Sequence, residues 1–177
     1  VELRAALEHE IREALQHHEF LIYCQPQVNA QRQVIGGEVL VRWQSPSRGM
    51  VSPAEFIPLA EATGLILPLG AWVLRQACAQ LASWADNDVL SGLSLAVNVS
   101  AQQMQDEQFV AQVLATVAES GANPQRLKLE LTESMLAHNI DSIIVKMERL
   151  RDHGIRFSLD DFGTGYSSLS QLKQFPV

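Results

Sequence analysis

The sequence lacks the features that mark several large classes of protein. No apolar run approaches the roughly 20 residues of a membrane-spanning helix, and no signal peptide is present. The net charge of −7 comes without a basic patch, which argues against a DNA or RNA duplex as a partner. Hydrophobic residues nevertheless make up 47% of the 177 positions, so we expect a folded domain with its own core.

Cysteine is also scarce, since only Cys24 and Cys78 occur in the chain. Both lie in apolar contexts, so we expect buried free thiols in a reducing compartment and no disulfide. We therefore predict a cytoplasmic protein, or the cytoplasmic part of a membrane-anchored one. The chain starts at Val1 without a signal peptide, which we interpret as the sign of an excised piece.

Hydrophobic periodicity predicts strands that alternate with helices. Residues 1–18 form an amphipathic helix, which we interpret either as a plain surface helix or as a connector from an upstream domain. The two strands that follow are close enough in sequence to pair as a hairpin. The predicted strands are 20–28, 34–43, 93–99, 126–132 and 155–159, and the predicted helices after the hairpin are 52–62, 69–85, 109–118 and 140–150. This alternation calls for a parallel sheet.

Polar residues occupy one face of the predicted strands, opposite a face of leucine and valine. Two-residue periodicity places on this polar face Glu38, Arg42, Asn98, Lys128, Glu130, Ser158 and Asp160. Polar side chains on the inner face of a parallel sheet are costly unless they pair or bind something. Because separate strands repeat the pattern, we interpret the shared face as a binding site.

The oxygen atoms of this face favour a hard divalent cation. The candidate donors are the carboxylates of Glu38, Glu130, Asp160 and Asp161 and the amide of Asn98. Such donors suit Mg²⁺ or Mn²⁺, whereas zinc would prefer the histidine or cysteine cluster that the sequence lacks. Two adjacent aspartates can hold a metal pair, which activates water and stabilises the leaving oxygen of a phosphodiester. Singly, a strand glutamate is more often an ion-paired core residue, and Arg42 is either a partner of Glu38 or a ligand contact.

The stretch 157–169 has the layout of an α/β active site. Its strand leads into Asp160 and Asp161, and Gly163 and Gly165 follow before two serines that can cap a helix. Chemistry lies at the carboxyl ends of strands in barrels and open sheets alike. We therefore expect the two aspartates to be at the centre of the site.

Six stretches of the chain together form a recognisable pattern. They are 25–27 (QPQ), 38–43 (EVLVRW), 52–61 (SPAEFIPLAE), 97–100 (VNVS), 130–133 (ELTE) and 160–169 (DDFGTGYSSL). In this order they resemble the EAL domain of bacterial cyclic di-GMP phosphodiesterases, from about residue 20 to residue 177. The signature triplet is EVL here instead of EAL. Because Val39 belongs to the outer, helix-facing side of its strand, we expect little effect on catalysis.

The resemblance implies an α/β fold, a TIM-like (β/α)8 barrel whose first strand is antiparallel, with about two-thirds of the barrel present. It implies hydrolysis of cyclic di-GMP to pGpG with Mg²⁺ or Mn²⁺, and inhibition by Ca²⁺. The implied ligands of a metal pair are Glu38, Asn98, Glu130, Asp160 and Asp161, with Asp160 shared between both ions. Arg42 would contact the dinucleotide, and Glu133 would steady the loop after the aspartates, a loop also linked in the family to dimer contacts.

The chain ends before the catalytic lysine, glutamate and glutamine with which the family continues. We therefore predict a connector helix at 1–18 and an incomplete EAL domain at 19–177, inactive or nearly so by itself. The parent protein is predicted to be a homodimeric phosphodiesterase with an upstream sensory or GGDEF-type domain. The alternatives are a receptor that binds cyclic di-GMP without cutting it and a purely structural interaction domain.

Overall fold

The computed structural model describes residues 2–132, 135 and 140–160, apart from the side chains of residues 2–4 and 160. Its helices are α1 Glu2–Gln16, α2 Pro53–Thr63, α3 Ile66–Trp84, α4 Ala101–Gln105, α5 Phe109–Ser120 and α6 Ile140–Asp152. Its strands are β1 Phe20–Val28, β2 Val34–Ser45, β3 Gly49–Val51, β4 Ser94–Asn98, β5 Leu127–Thr132 and β6 Arg156–Asp160. A 3₁₀ turn, Pro124–Arg126, precedes β5. Glu133 and Asp161, both predicted site residues, lie outside the described residues.

The described strands form one mixed sheet in the order β1-β2-β4-β5-β6, and β3 pairs with the outer part of β2. β1 and β2 are an antiparallel hairpin, whereas β2, β4, β5 and β6 pair in parallel. The predicted hairpin and the predicted parallel sheet are both confirmed. The helices α3, α5 and α6 are the connections that parallel neighbours require.

Two short elements were missed from the sequence. β3 lies in a stretch for which neither a strand nor a helix was predicted, and it pairs with an end of β2 that extends to Ser45. α4 has five residues, too few for a hydrophobic stripe to be visible. Its start does carry a signal, because Ser100 and Gln103 form a reciprocal capping box.

Leucine and valine from one face of the sheet form the main core against α3, α5 and α6. Leu95, Val97, Leu127 and Leu129 are all at most 3% exposed there. Fully burying side chains of this size contributes about 1.5–3 kcal/mol each, so this face fixes the register of the strands. The opposite, polar face is therefore the one available for a site.

A second cluster joins α1 and α2 to the end of the hairpin. Leu7 and Ile11 of α1 are buried against an aromatic group that includes Phe20, Trp43 and Phe56. On the surface, Arg48 donates two hydrogen bonds to the carboxylate of Glu10, at 2.7 Å and 3.0 Å, and this pairing lowers the pKa of Glu10. Helix α1 thus packs on the sheet domain, while the boundary between 1–18 and 19–177 stays a prediction.

The two cysteines are free, but they differ in exposure. Cys78 is buried in α3 as predicted, whereas Cys24 is exposed, so the prediction that it is buried is wrong. The reason is that β1 is the first strand of the described sheet and has only β2 beside it. None of the described helices is both long enough and apolar enough to cross a membrane.

Candidate functional site

Three of the predicted ligands lie side by side where the parallel ladders end. Glu38 of β2 is one residue from the last β2–β4 pair, and Asn98 stands directly opposite Glu130 in the last β4–β5 pair. The side-chain nitrogen of Asn98 donates a hydrogen bond to Oε1 of Glu38 over 2.7 Å. The structure therefore brings Glu38, Asn98 and Glu130 together, as the strand alternation predicted.

Glu130 is the buried carboxylate of this group, with 8% of the residue exposed. Its Oε1 accepts a hydrogen bond from Oγ of Ser158 over 2.9 Å and lies 3.0 Å from Nζ of Lys128. A buried carboxylate is stable only when it is paired and hydrogen-bonded, and here one oxygen meets both needs. The position and direction of this side chain are accordingly fixed by its neighbours.

Asp160 continues the same row on the next strand. Its backbone pairs with Thr132, two residues beyond Glu130, in the β5–β6 ladder. Its side chain, Asp161 and Glu133 lie outside what the structure describes. The backbone of Asp160 therefore lies on the strand next to Glu130, two residues beyond the position opposite it.

Arg42, the predicted dinucleotide contact, is held on the same face by the hairpin. Its Nη1 donates to the backbone oxygen of Val41 over 2.9 Å, and its guanidinium carbon lies 5.5 Å from the ring centroid of Tyr23. This is a cation–π contact between diagonal neighbours of an antiparallel pair. The side chains of Arg42 and Glu38 are both described, and they do not form the ion pair that the sequence left open.

A cavity of about 300 Å³ opens beside these residues, between β2, the helices α2 and α3, and the segment after β4. Its wall is mostly apolar, with polar groups from Arg42, Glu61, Asn98, Gln103 and Thr132. Concave, largely apolar cavities with a few convergent polar groups are typical binding sites for small ligands. Arg42 and Asn98 both line this cavity, and Asn98 also contacts Glu38, so the cavity adjoins the row at Asn98.

The segment that follows Asn98 is tied down by other helices. Gln102 donates from Nε2 to the backbone oxygen of Glu61 over 2.6 Å, which joins α4 to α2. Lys146 of α6 donates to the backbone oxygens of Met104 and Asp106, at 2.6 Å and 2.8 Å. These bonds hold α4, which begins three residues after Asn98, from two sides.

The donor set fits a hard divalent cation. Glu38, Asn98 and Glu130 offer carboxylate and amide oxygens, which Mg²⁺ and Mn²⁺ prefer. Among the described residues, no three histidine, cysteine, aspartate or glutamate side chains are grouped as a metal site. The predicted set would need Asp160 and Asp161 to complete it, and those carboxylates lie outside the described side chains.

Sequence reasoning assigned no role to three of these neighbours. Lys128 and Ser158 were placed on the polar face, but neither was assigned a contact: Lys128 reaches Glu130 along the same strand, and Ser158 reaches it from the neighbouring strand. Tyr23 shares a face with Gln25, and this alternation is visible in the sequence. Only its pairing with Arg42 could have indicated a role, and that pairing depends on the hairpin register.

Comparison with known families and proteins finds sequences similar to this chain. A family model described as EAL domain matches residues 8–177. The bifunctional diguanylate cyclase/cyclic di-GMP phosphodiesterase MucR of Pseudomonas aeruginosa is 41% identical over 170 residues, which cover 96% of this chain and 25% of MucR. The cyclic di-GMP phosphodiesterase PdeR of Escherichia coli is 40% identical over 171 residues, which cover 97% of this chain and 26% of PdeR.

A solved structure described as the PaMucR phosphodiesterase in complex with c-di-GMP superposes with a TM-score of 0.92 at 40% sequence identity. The match covers 97% of this chain and 70% of that one. The chain spans about a quarter or less of the length of the curated relatives it matches.

Proposed function

This chain belongs to the EAL domain family, and we propose that it forms the greater part of a domain that hydrolyses cyclic di-GMP to pGpG. Its structural neighbours are EAL domains, which are TIM-like barrels, and its mixed sheet is a partial barrel of that type. The observation that supports the proposal best is the row formed by Glu38, Asn98 and Glu130 at the ladder ends. Oxygen donors from separate strands meet there beside a cavity of small-ligand size.

We propose Mg²⁺ or Mn²⁺ as the cofactor. Glu38, Asn98, Glu130 and Asp160 would hold one ion, and Asp160 with Asp161 would hold a second. Bound there, the ions supply an activated water and stabilise the leaving oxygen. In the reaction, water adds to phosphorus and one P–O bond to a ribose 3′ oxygen breaks, which leaves a 3′ hydroxyl and the 5′ phosphate of linear pGpG.

The chain's own residues orient the reactants. The Asn98 amide holds the Glu38 carboxylate in one direction, and the Ser158 hydroxyl does the same for Glu130. Arg42 carries the positive charge that a phosphodiester needs, and its stacking on Tyr23 keeps the guanidinium on the site face. The cavity wall would exclude water from the bound dinucleotide on the side of α2 and α3.

The remaining assignments rest on the family alone. We propose that Glu133 steadies the loop after the aspartates and that the protein works as a homodimer. The name of MucR, which includes a diguanylate cyclase, supports an upstream GGDEF-type or sensory domain. The two free cysteines support a reducing, cytoplasmic location.

The test is turnover by the purified full-length protein. Cyclic di-GMP is incubated with Mg²⁺, Mn²⁺ or Ca²⁺, and pGpG is measured by chromatography. We expect product with Mg²⁺ or Mn²⁺, none with Ca²⁺, and loss of product in Glu38→Gln. The control Glu119→Gln, at an exposed position of α5, should stay active. Tight binding without product in any metal would favour the receptor alternative. Binding of neither metal nor nucleotide would favour a structural interaction domain.

A further inference from the structure

Lys128 places a positive charge directly against one of the proposed metal ligands. Its Nζ lies 3.0 Å from Oε1 of Glu130, and the side chains are 25% and 9% exposed. Like charges repel, so the ammonium group of Lys128 by itself opposes the binding of a cation at Glu130. Its presence there calls for a contribution that outweighs this repulsion. The second contact of Lys128 indicates what this contribution is.

Lys128 is also held by a residue of β1, three strands away in the sheet. Nζ also donates to Oε1 of Gln27 over 3.3 Å, although Gln27 is on β1 and β2 and β4 lie in between. On a flat sheet, three strand spacings would separate these backbones by about 14 Å. The concave curvature of the sheet and the small Ala96, which pairs with Lys128, leave room for the two side chains to meet. The ammonium group is thus held at a fixed point.

Both donors to Glu130 act on the same carboxylate oxygen. Ser158 and Lys128 each contact Oε1, from the neighbouring strand and from two residues earlier on β5. Two donors on one oxygen fix the plane of a carboxylate and direct its other oxygen. Partners of this kind orient metal ligands in many sites, and losing one costs about 10- to 100-fold in affinity or activity.

We propose that Lys128 is a positioning residue: anchored by Gln27, it holds Oε1 of Glu130 so that Oε2 binds the divalent cation. The proposal rests on the proposed function, because it assumes that Glu130 is a metal ligand. It predicts that the orienting contact outweighs the charge repulsion. Removing Lys128 would therefore weaken metal binding, although simple electrostatics predicts the reverse.

The experiment measures Mn²⁺ binding to the full-length protein without nucleotide, from the electron paramagnetic resonance signal of free Mn²⁺. We expect the Kd for Mn²⁺ to rise about tenfold in Lys128→Met. Gln27→Leu, which removes only the anchor, should move the Kd in the same direction by a smaller factor. At saturating Mn²⁺, the KM for cyclic di-GMP should stay unchanged, because Arg42 is untouched.

Arg156→Met is the matched control. Arg156 pairs with Lys128 on the next strand, so the control removes one positive charge from the adjacent position of the same face. Its guanidinium donates to Ser94 and has no contact with Glu130. We expect this variant to bind Mn²⁺ as tightly as the wild type or slightly more tightly. Circular dichroism of all variants checks that they fold.

The outcomes separate the two proposals. An unchanged or lower Kd for Mn²⁺ in both Lys128→Met and Gln27→Leu overturns the positioning role while leaving the metal site in place. A wild type that binds no Mn²⁺, or a Glu130→Gln variant that binds it as well as the wild type, overturns the proposed metal site and the role of Lys128 with it.

Discussion

The side-chain nitrogen of Asn98 donates a hydrogen bond to Oε1 of Glu38 over 2.7 Å, although 60 positions separate the two residues in the sequence. The bond joins neighbouring parallel strands at the end of their ladder. With its nitrogen directed at Glu38, the amide of Asn98 has its carbonyl oxygen available as a ligand. One side chain would thus both orient a carboxylate and provide a donor.

Asn98→Ala should remove both contributions. We expect kcat/KM for cyclic di-GMP to fall at least tenfold and the Mn²⁺ concentration needed for half-maximal activity to rise. Losing an orienting partner of a metal ligand costs about 10- to 100-fold in affinity or activity. The control is Gln112→Ala, which deletes an exposed amide of α5. Steady-state kinetics over a range of Mn²⁺ concentrations make the comparison, and equal kinetics in the two variants would contradict the assignment.

Tyr23 should influence substrate binding through Arg42. An exposed cation–π contact contributes about 0.5–1 kcal/mol, so Tyr23→Leu should raise the KM for cyclic di-GMP about two- to fivefold with little change in kcat. Tyr23→Phe keeps the ring and should behave as the wild type. If the phenylalanine variant loses as much as the leucine variant, the ring face is not what matters.

The stability of the protein should depend on Cys78 at alkaline pH. Burial raises the pKa of the Cys78 thiol from 9.0 to about 11, despite a hydrogen bond with Ser120 that acts the other way. The unfolded state therefore loses this proton first as the pH rises. Stability should fall between pH 9 and pH 11 by about 2–3 kcal/mol more than in Cys78→Ala.

Chemical denaturation of the wild type and Cys78→Ala at several pH values from 7 to 11 measures this difference. The two absolute stabilities will differ, because the alanine leaves a cavity, so only the pH dependence is compared. Parallel curves for the two proteins would show that Cys78 does not contribute to alkaline unfolding.

Gly36 should tolerate no side chain. A Cβ atom at this position would collide with the backbone oxygen of Ser94, and neither strand can shift without breaking the β2–β4 ladder. Gly36→Ala should lower the free energy of unfolding by about 1–3 kcal/mol. Gly92→Ala, where no atom lies within 4 Å of the added carbon, should be neutral or slightly stabilising. Thermal and urea unfolding of both variants tests this contrast.

The fold was predictable wherever a strand or helix was long enough for its hydrophobic periodicity to be recognised. The alternating strands around Glu38, Asn98 and Glu130 predicted both the sheet and a shared face, because parallel strands end at the same edge. β3 and α4 are too short to show a period. The exposure of Cys24 also could not be read locally, since it depends on which strand lies at the edge of the sheet.

The sequence predicted which polar residues meet at the strand ends, but not the contacts that orient them. The motifs gave residue types and strand ends, which suffice to bring Glu38, Asn98 and Glu130 together. The contact between Lys128 and Gln27 joins positions 101 residues apart, on strands that have two other strands between them. Tyr23 and Arg42 meet through the hairpin register, which the sequence indicates only approximately.

The contact between Lys128 and Gln27 also has a mechanical consequence. It connects the first strand to the fourth in spatial order, across the concave face of the sheet. Flattening the sheet would move Gln27 away from Lys128, and an ammonium group that followed Gln27 would move away from Glu130. The curvature of the sheet thus helps to determine the direction of the Glu130 carboxylate, through the two contacts of the Lys128 ammonium group.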